Sequence, residues 1–345
     1  MTKVCRHIVG LLLVCLQVGC MDFGPSELEN FEAAEHGVFI CNEGNFMYGN
    51  ASLSYYAPIA QRVENEIFIR ANDMRLGDVA HSMTLYNNTL YIVVNNSGVV
   101  FAIAPDTFTL RGILTGVNSP RYIHFVAPDK AYISDLYDSR INIFDPRTMQ
   151  LTGHIPTPSH PSTECFAATS DRVFVNCWSR DNTILGIDPT SDSICDSIHI
   201  EGQPRKMVID QSERLWIVTD CGVAGNIAPK LYRLTTSPLA VEMVINLPNI
   251  SPTDIGIDAT RSTIYILNKH IWALKYTADK LPSTPIVDAD GRLLYALGID
   301  PTTSDIYCSD AIDYIQSGVV YRYNHSGTLL DSFTAGIIPG SFCFK

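Results

Sequence analysis

Several things are missing from this chain of 345 residues, and each absence removes a class of function. After residue 20 no apolar run approaches the roughly 18 residues that a membrane-spanning helix needs. No Lys/Arg-rich run occurs. The 36 acidic side chains outnumber the 24 basic ones, giving a net charge of −12. Such a surface opposes nucleic acid and anionic membrane as main partners. There is no C-x-x-C pair, so a structural zinc site has little support. The sequence also contains no G-x-S-x-G, no H-E-x-x-H and no Walker-type glycine loop. Its nine histidines are scattered, and a lone histidine more often bonds within a fold than performs catalysis. Long stretches of helical periodicity are absent as well. The chain reads as all-β, and as a binder rather than an enzyme.

The first residues have their own logic. Lys3 and Arg6 precede an apolar segment at 8–18, too short to cross a bilayer alone. The segment ends Leu16-Gln-Val-Gly-Cys20, which resembles a bacterial lipoprotein cleavage box with Gln17 where Leu is usual. Residues 1–19 are therefore expected to be a signal peptide and 20–35 a tether lipidated on Cys20. Loss of Lys3 and Arg6 takes the net charge from −12 to −14. Acyl chains on Cys20 would supply the only attachment to a membrane, at about 0.8 kcal/mol per buried methylene. Beyond Cys20, seven cysteines remain: Cys41, Cys165, Cys177, Cys195, Cys221, Cys308 and Cys343. Several sit in apolar strand patterns as small hydrophobes. Cys177 and Cys221 end equivalent strands of adjacent repeats, which leaves a disulfide between them open.

What fills the rest of the chain is one unit, repeated. Each copy begins with a small residue or proline, then an alternating strand, then a second strand rich in Tyr, Ile and Val. A third strand often ends in Asp-Pro, and a fourth returns toward the next copy. Equivalent starts fall at Ala80, Pro120, Pro161, Pro204, Pro252, Leu294 and Pro339, spaced 40 to 48 residues apart. Four short strands at this period indicate propeller blades. Residues 36–345 are thus predicted to form a seven-bladed β-propeller with four-stranded blades. The segment from Pro339 reads as a first strand without followers. Residues 37–41, 51–56 and 64–69 read as strands two to four without a first. Pairing the C-terminal strand into the N-terminal blade would close the ring and remove two open edges.

In such a ring, loops joining second and third strands share a face with loops leading into first strands. Here those loops, at 42–50, 95–97, 135–140, 176–182, from 220, 268–270 and 310–316, interleave aromatics with amides and charges. Phe46, Tyr48, Tyr137, Trp178 and Tyr314 supply flat apolar surfaces. Asn42, Asn96 and Asn176 supply groups that both donate and accept hydrogen bonds. Arg121, Asp135, Arg205 and Lys269 add charge. Any one Asn or Asp can simply close its turn. As a set on one face they describe a pocket for a large, flat, amide-rich or sugar-like ligand. Glu43, Asp135, Asp220 and Asp310 suggest a weaker alternative, a central cation site as in propeller lactonases.

Asn42-Glu-Gly-Asn-Phe46, Ala51-Ser-Leu-Ser-Tyr-Tyr56, Leu76-Gly-Asp-Val-Ala-His-Ser-Met83 and Tyr91-Ile-Val-Val-Asn-Asn-Ser-Gly98 together resemble the YncE-like propeller lipoproteins of Bacteroides. Within these, the chain is most similar to the surface cobalamin-binding lipoproteins of the BtuG type. The resemblance implies an outer-membrane, outward-facing protein that captures cobalamin and passes it to a TonB-dependent transporter of the BtuB type. It implies cobalamin as ligand rather than as catalytic cofactor. Glycan capture, scaffolding, or metal-dependent hydrolysis like that of a lactonase are the competing expectations.

Overall fold

Alternation along Leu90-Tyr-Ile-Val-Val94 sends successive side chains to opposite neighbours. Leu90, Ile92 and Val94 pack with Phe39, Cys41 and Tyr55, while Tyr91 and Val93 pack with Ile123, Ala131 and Phe144. A strand of period two thus glues its sheet to the sheets on both sides. The same division recurs around the chain, giving seven apolar clusters among the described residues, one between each pair of adjacent sheets. Inner strands are therefore buried on both faces, as in Val38–Asn42, Leu215–Thr219 and Ile306–Asp310. Outer strands such as Gln150–Pro156 and Ser193–His199 are mostly exposed.

The structure is a computed structural model, and it describes residues 33, 35–179, 181–222, 224–248 and 251–345. It is a seven-bladed propeller of antiparallel sheets. The innermost strands are Ala80–Tyr86, Pro120–Ala127, Thr163–Ala168, Pro204–Ile209, Asp254–Ile257, Leu294–Ile299 and Pro339–Phe344. Each lies against the next, and Pro339–Phe344 closes the circle between Leu294–Ile299 and Ala80–Tyr86. The predicted seam is present: Pro339–Phe344 pairs antiparallel with Val38–Asn42, Phe39 opposite Cys343. No helix among the described residues is long and apolar enough to cross a membrane. The signal and tether expectations, Cys20 included, lie almost entirely outside the described residues.

Two local readings need correction. Residues 64–69 are not a fourth strand: that strand is Arg62–Glu64, and Ile67–Asn72 is a short helix. Ile67 and Phe68 are buried, Phe68 against Phe101 with ring centroids 5.0 Å apart. The side chain of Asn72 bonds the backbone at Phe108 and Leu110, so the helix plugs the gap between the first two blades. In the sixth blade only three strands pair, and Val287 bridges to Ile271 where a fourth strand would run. Pro282 and Pro285 precede that bridge, and neither has an N–H to give to a ladder. Cys177 and Cys221 are both free.

Candidate functional site

The first strands begin at one end of the central channel, and their opening residues differ from blade to blade. His81, Arg121, Glu164, Arg205, Asp254, Tyr295 and Gly340 occupy these positions and line a cavity of about 210 Å3. Tyr122, Lys206 and Thr253 add to the wall, as do Glu43 and Trp178 from second-to-third-strand loops. Gly340 matters for space: a Cβ there would collide with the Glu43 carboxylate.

The charges are arranged in partnerships. Arg121 Nε donates to both Glu164 oxygens at 2.9 Å. Lys206 Nζ lies 2.7 Å from Asp254 Oδ2. Arg205 is 3.8 Å from Asp220 and stands over the Trp178 ring at 5.3 Å. The Tyr295 hydroxyl donates to Glu43 at 3.0 Å. Burial pushes the Glu43 carboxyl up, against the lowering effect of that hydroxyl, Arg121 and Lys206. Burial also pushes Glu164 up despite its arginine. His81 is driven well below its usual value by burial first and then by Arg121, Lys206 and Arg205, so it is neutral at pH 7. Burial works against the Lys206 charge, yet Asp254 outweighs it and raises the ammonium's pKa.

Three polar atoms in this wall are buried without a hydrogen-bond partner: His81 Nε2, Trp178 Nε1 and Thr253 Oγ1. Buried polar groups are normally satisfied, so three such atoms around one cavity mark a place for a polar occupant. The indole can only donate, while the hydroxyl and the neutral imidazole can serve either way.

The expected residues divide into three groups. Arg121, Trp178 and Arg205 line the cavity. Phe46, Tyr48, Tyr137 and Tyr314 stand on the loops around it, exposed by 64, 77, 70 and 42 %. Tyr314 packs edge-on against Tyr295 at 5.8 Å, and its carbonyl accepts from Asn45, tying the rim of the seventh blade to the first. Asn96 is exposed on the same face and bonds Asp78, and Lys269 is exposed in a tight turn at φ 60°. Asn42, Asp135 and Asn176 must be withdrawn from the ligand set, because all three are buried and occupied. Asn42 binds Ser54 Oγ at 2.9 Å and the Gly336 N–H at 3.0 Å. Asp135 accepts from the N–H groups of Ser119 and Tyr137 at 2.8 and 3.0 Å. Asn176 donates to the carbonyls of Pro204 and Arg205 at 2.8 and 3.1 Å.

The suggested central cation site also fails to assemble. Asp220 accepts from the Gly222 N–H and Asp310 from Leu293 and Ile312, so they and Asp135 are taken up by loop backbone while Glu43 alone of the four lines the cavity. His81, Tyr122, Thr253 and Tyr295 were not singled out from sequence. Their signal was available: a first-strand opening that changes identity in every repeat is free of the duties that all blades share.

Solved structures with this fold are numerous and distant. A quinonprotein alcohol dehydrogenase-like protein from Bacteroides thetaiotaomicron has a TM-score of 0.68 at 10 % identity, covering 91 % of this chain and 79 % of its own. Hydrazine synthase from Kuenenia stuttgartiensis gives 0.66 at 15 % identity, over 76 % of this chain and 88 % of that one. A Bacteroides fragilis protein named as a candidate 6-phosphogluconolactonase gives 0.65 at 11 %, over 93 % and 100 %. At these identities the likeness speaks for the fold alone. No curated protein matches the sequence. A family model does match, over residues 36–335, nearly the whole propeller. The chain belongs to the family described as domain of unknown function DUF5074.

Proposed function

We propose that the protein captures cobalamin on this face, as a lipoprotein held to the outer membrane through Cys20, and delivers it to a TonB-dependent transporter of the BtuB type. The observation that carries the reading is the pairing of exposed rim aromatics with a cavity whose buried polar atoms lack partners. A corrin is broad, and its edge bears primary amides that donate and accept. It exceeds a space of about 210 Å3, so the ring lies across the aromatic rim while one side arm enters the cavity. With its acids and bases paired, the cavity suits a neutral amide better than an ion. The protein acts by binding, not by turnover.

Cyanocobalamin mixed with purified protein should travel with it through a desalting column and leave the protein fraction red. A colourless protein peak at micromolar concentrations rejects the reading. One observation favours glycan capture as the alternative: a cavity of this size, with Trp178 at its wall and paired acids and bases, accepts a single sugar ring. Retention of oligosaccharide by a colourless protein would move the assignment there.

A further inference from the structure

The fourth blade gathers three groups that the cavity does not use. His160 lies in the turn before Thr163–Ala168, Cys177 ends Val173–Cys177, and Asp181 stands just before Thr183–Asp188. One ligand-type atom from each lies within 4.8 Å of the others. His160 Nδ1 is 2.7 Å from Asp181 Oδ2. The other Asp181 oxygen accepts from the Asn182 and Thr183 N–H groups at 2.7 and 3.0 Å, which aims Oδ2 at the imidazole. His160 is fixed by its own N–H donating to the Thr157 carbonyl at 2.9 Å. Cys177 is buried and unoxidised. The strand pairing of Cys177 with Thr163 brings the thiol beside the turn that carries His160.

We infer that His160, Cys177 and Asp181 form a binding site for a zinc-class divalent cation. Imidazole, thiolate and carboxylate are the donor types such an ion takes, and three protein ligands leave one position for water. A tetrahedral ion with bonds of about 2.0–2.3 Å spaces its donors by roughly 3.3–3.7 Å. The hydrogen-bonded His160–Asp181 contact, 2.7 Å long, therefore opens by roughly 0.6–1 Å as the cation replaces the proton between them. Cys177 loses its thiol proton to solvent, and the imidazole binds neutral with its proton on Nε2. Thiolate and carboxylate then balance the two positive charges, which suits a site whose histidine and aspartate side chains are only 19 and 13 % exposed. The site is coupled to the cavity, because the Asp181 N–H donates to the Trp178 carbonyl at 3.2 Å. Fixing Asp181 fixes the turn that holds the indole in the cavity wall.

The test uses cobalt(II) chloride and needs no corrinoid, so its outcome is independent of the cobalamin reading. Titration of chelator-treated protein should raise a thiolate-to-cobalt charge-transfer band and intense tetrahedral visible bands, saturating at one ion per chain and reversed by zinc. Cys177→Ser should abolish the charge-transfer band. His160→Gln, on the half-buried turn where a folding defect is not expected, should weaken cobalt at least ten-fold with an unchanged circular dichroism spectrum. Cys195→Ser and Cys221→Ser should leave the band as it is. Absence of the band with micromolar cobalt overturns the proposal. So does a band that survives Cys177→Ser, or one unaffected by His160→Gln, since the dyad is then a structural hydrogen bond only.

Discussion

Arg121 Nε sits equidistant, at 2.9 Å, from both oxygens of Glu164, joining the third and fourth blades at the wall of the cavity. Removing one member leaves the other poorly solvated, and a broken buried pair costs about 3–5 kcal/mol. Glu164→Gln should therefore lower the unfolding free energy by about 3 kcal/mol, read as a lower urea midpoint at unchanged slope. Replacing both members, Arg121→Met with Glu164→Leu, should recover most of that loss. An unaltered midpoint in the single variant would mean that cavity water already supports the arginine.

The two aromatics Tyr137 and Trp178 separate rim from wall. Tyr137→Ala removes an exposed ring and should leave the melting temperature within error while weakening cobalamin. Trp178→Ala also removes the platform under Arg205 and should cost about 2 kcal/mol of binding, roughly thirty-fold in Kd. Titration calorimetry beside thermal unfolding checks both. A stability loss as large as the binding loss would assign the rings to packing.

Asn42→Ala should behave in the opposite way. Its amide bridges Ser54 of the first blade and Gly336 of the seventh, and truncation strands those partners at a cost of about 1–3 kcal/mol. Ligand affinity of the folded fraction should be unchanged. A selective loss of affinity would return Asn42 to the binding surface.

Glu43 makes stability depend on pH. Burial raises its folded pKa above the ordinary glutamate value, so the native state holds this proton more tightly than the unfolded chain. The stabilisation is present in full below the unfolded value and is lost as pH rises through the folded one. Glu43→Gln is neutral throughout and can still accept from Tyr295. Relative to wild type it should gain melting temperature as pH goes from about 4 to about 7. A difference that is flat or falls over that range would contradict the burial of a strained carboxylate.

The architecture is legible in the sequence because seven equivalent starts recur at intervals of 40 to 48 residues, and Pro339 begins a strand that only the N-terminal blade can use. The site was read less well, for a related reason. Asn42, Asn95, Asp135, Asn176 and Asp310 all lie where a second strand ends. Asn95 donates to Ser119 and Pro120, Asn176 to Pro204 and Arg205, and Asp135 and Asp310 accept from Ser119 and Leu293. Recurrence at one position signals a duty that several blades share, here fastening the second strand to a loop that leads into a first strand. Cavity residues such as His81 and Tyr295 do not recur, and side-chain partnerships across blades cannot be seen in a pattern of single strands. The helix at Ile67–Asn72 was misread because its two buried residues at Ile67 and Phe68 carry too little periodicity to tell a turn of helix from a strand.

Two lining residues of the cavity belong to segments nearly 300 positions apart: Glu43 follows the first described strand, and Gly340 is the second residue of the last. The Glu43 N–H also donates to the Ile338 carbonyl at 2.8 Å. A guest seated there touches both halves of the seam and behaves as a clasp. Occupancy must then slow the parting of the ring, and any force that unzips Pro339–Phe344 must first expel the guest.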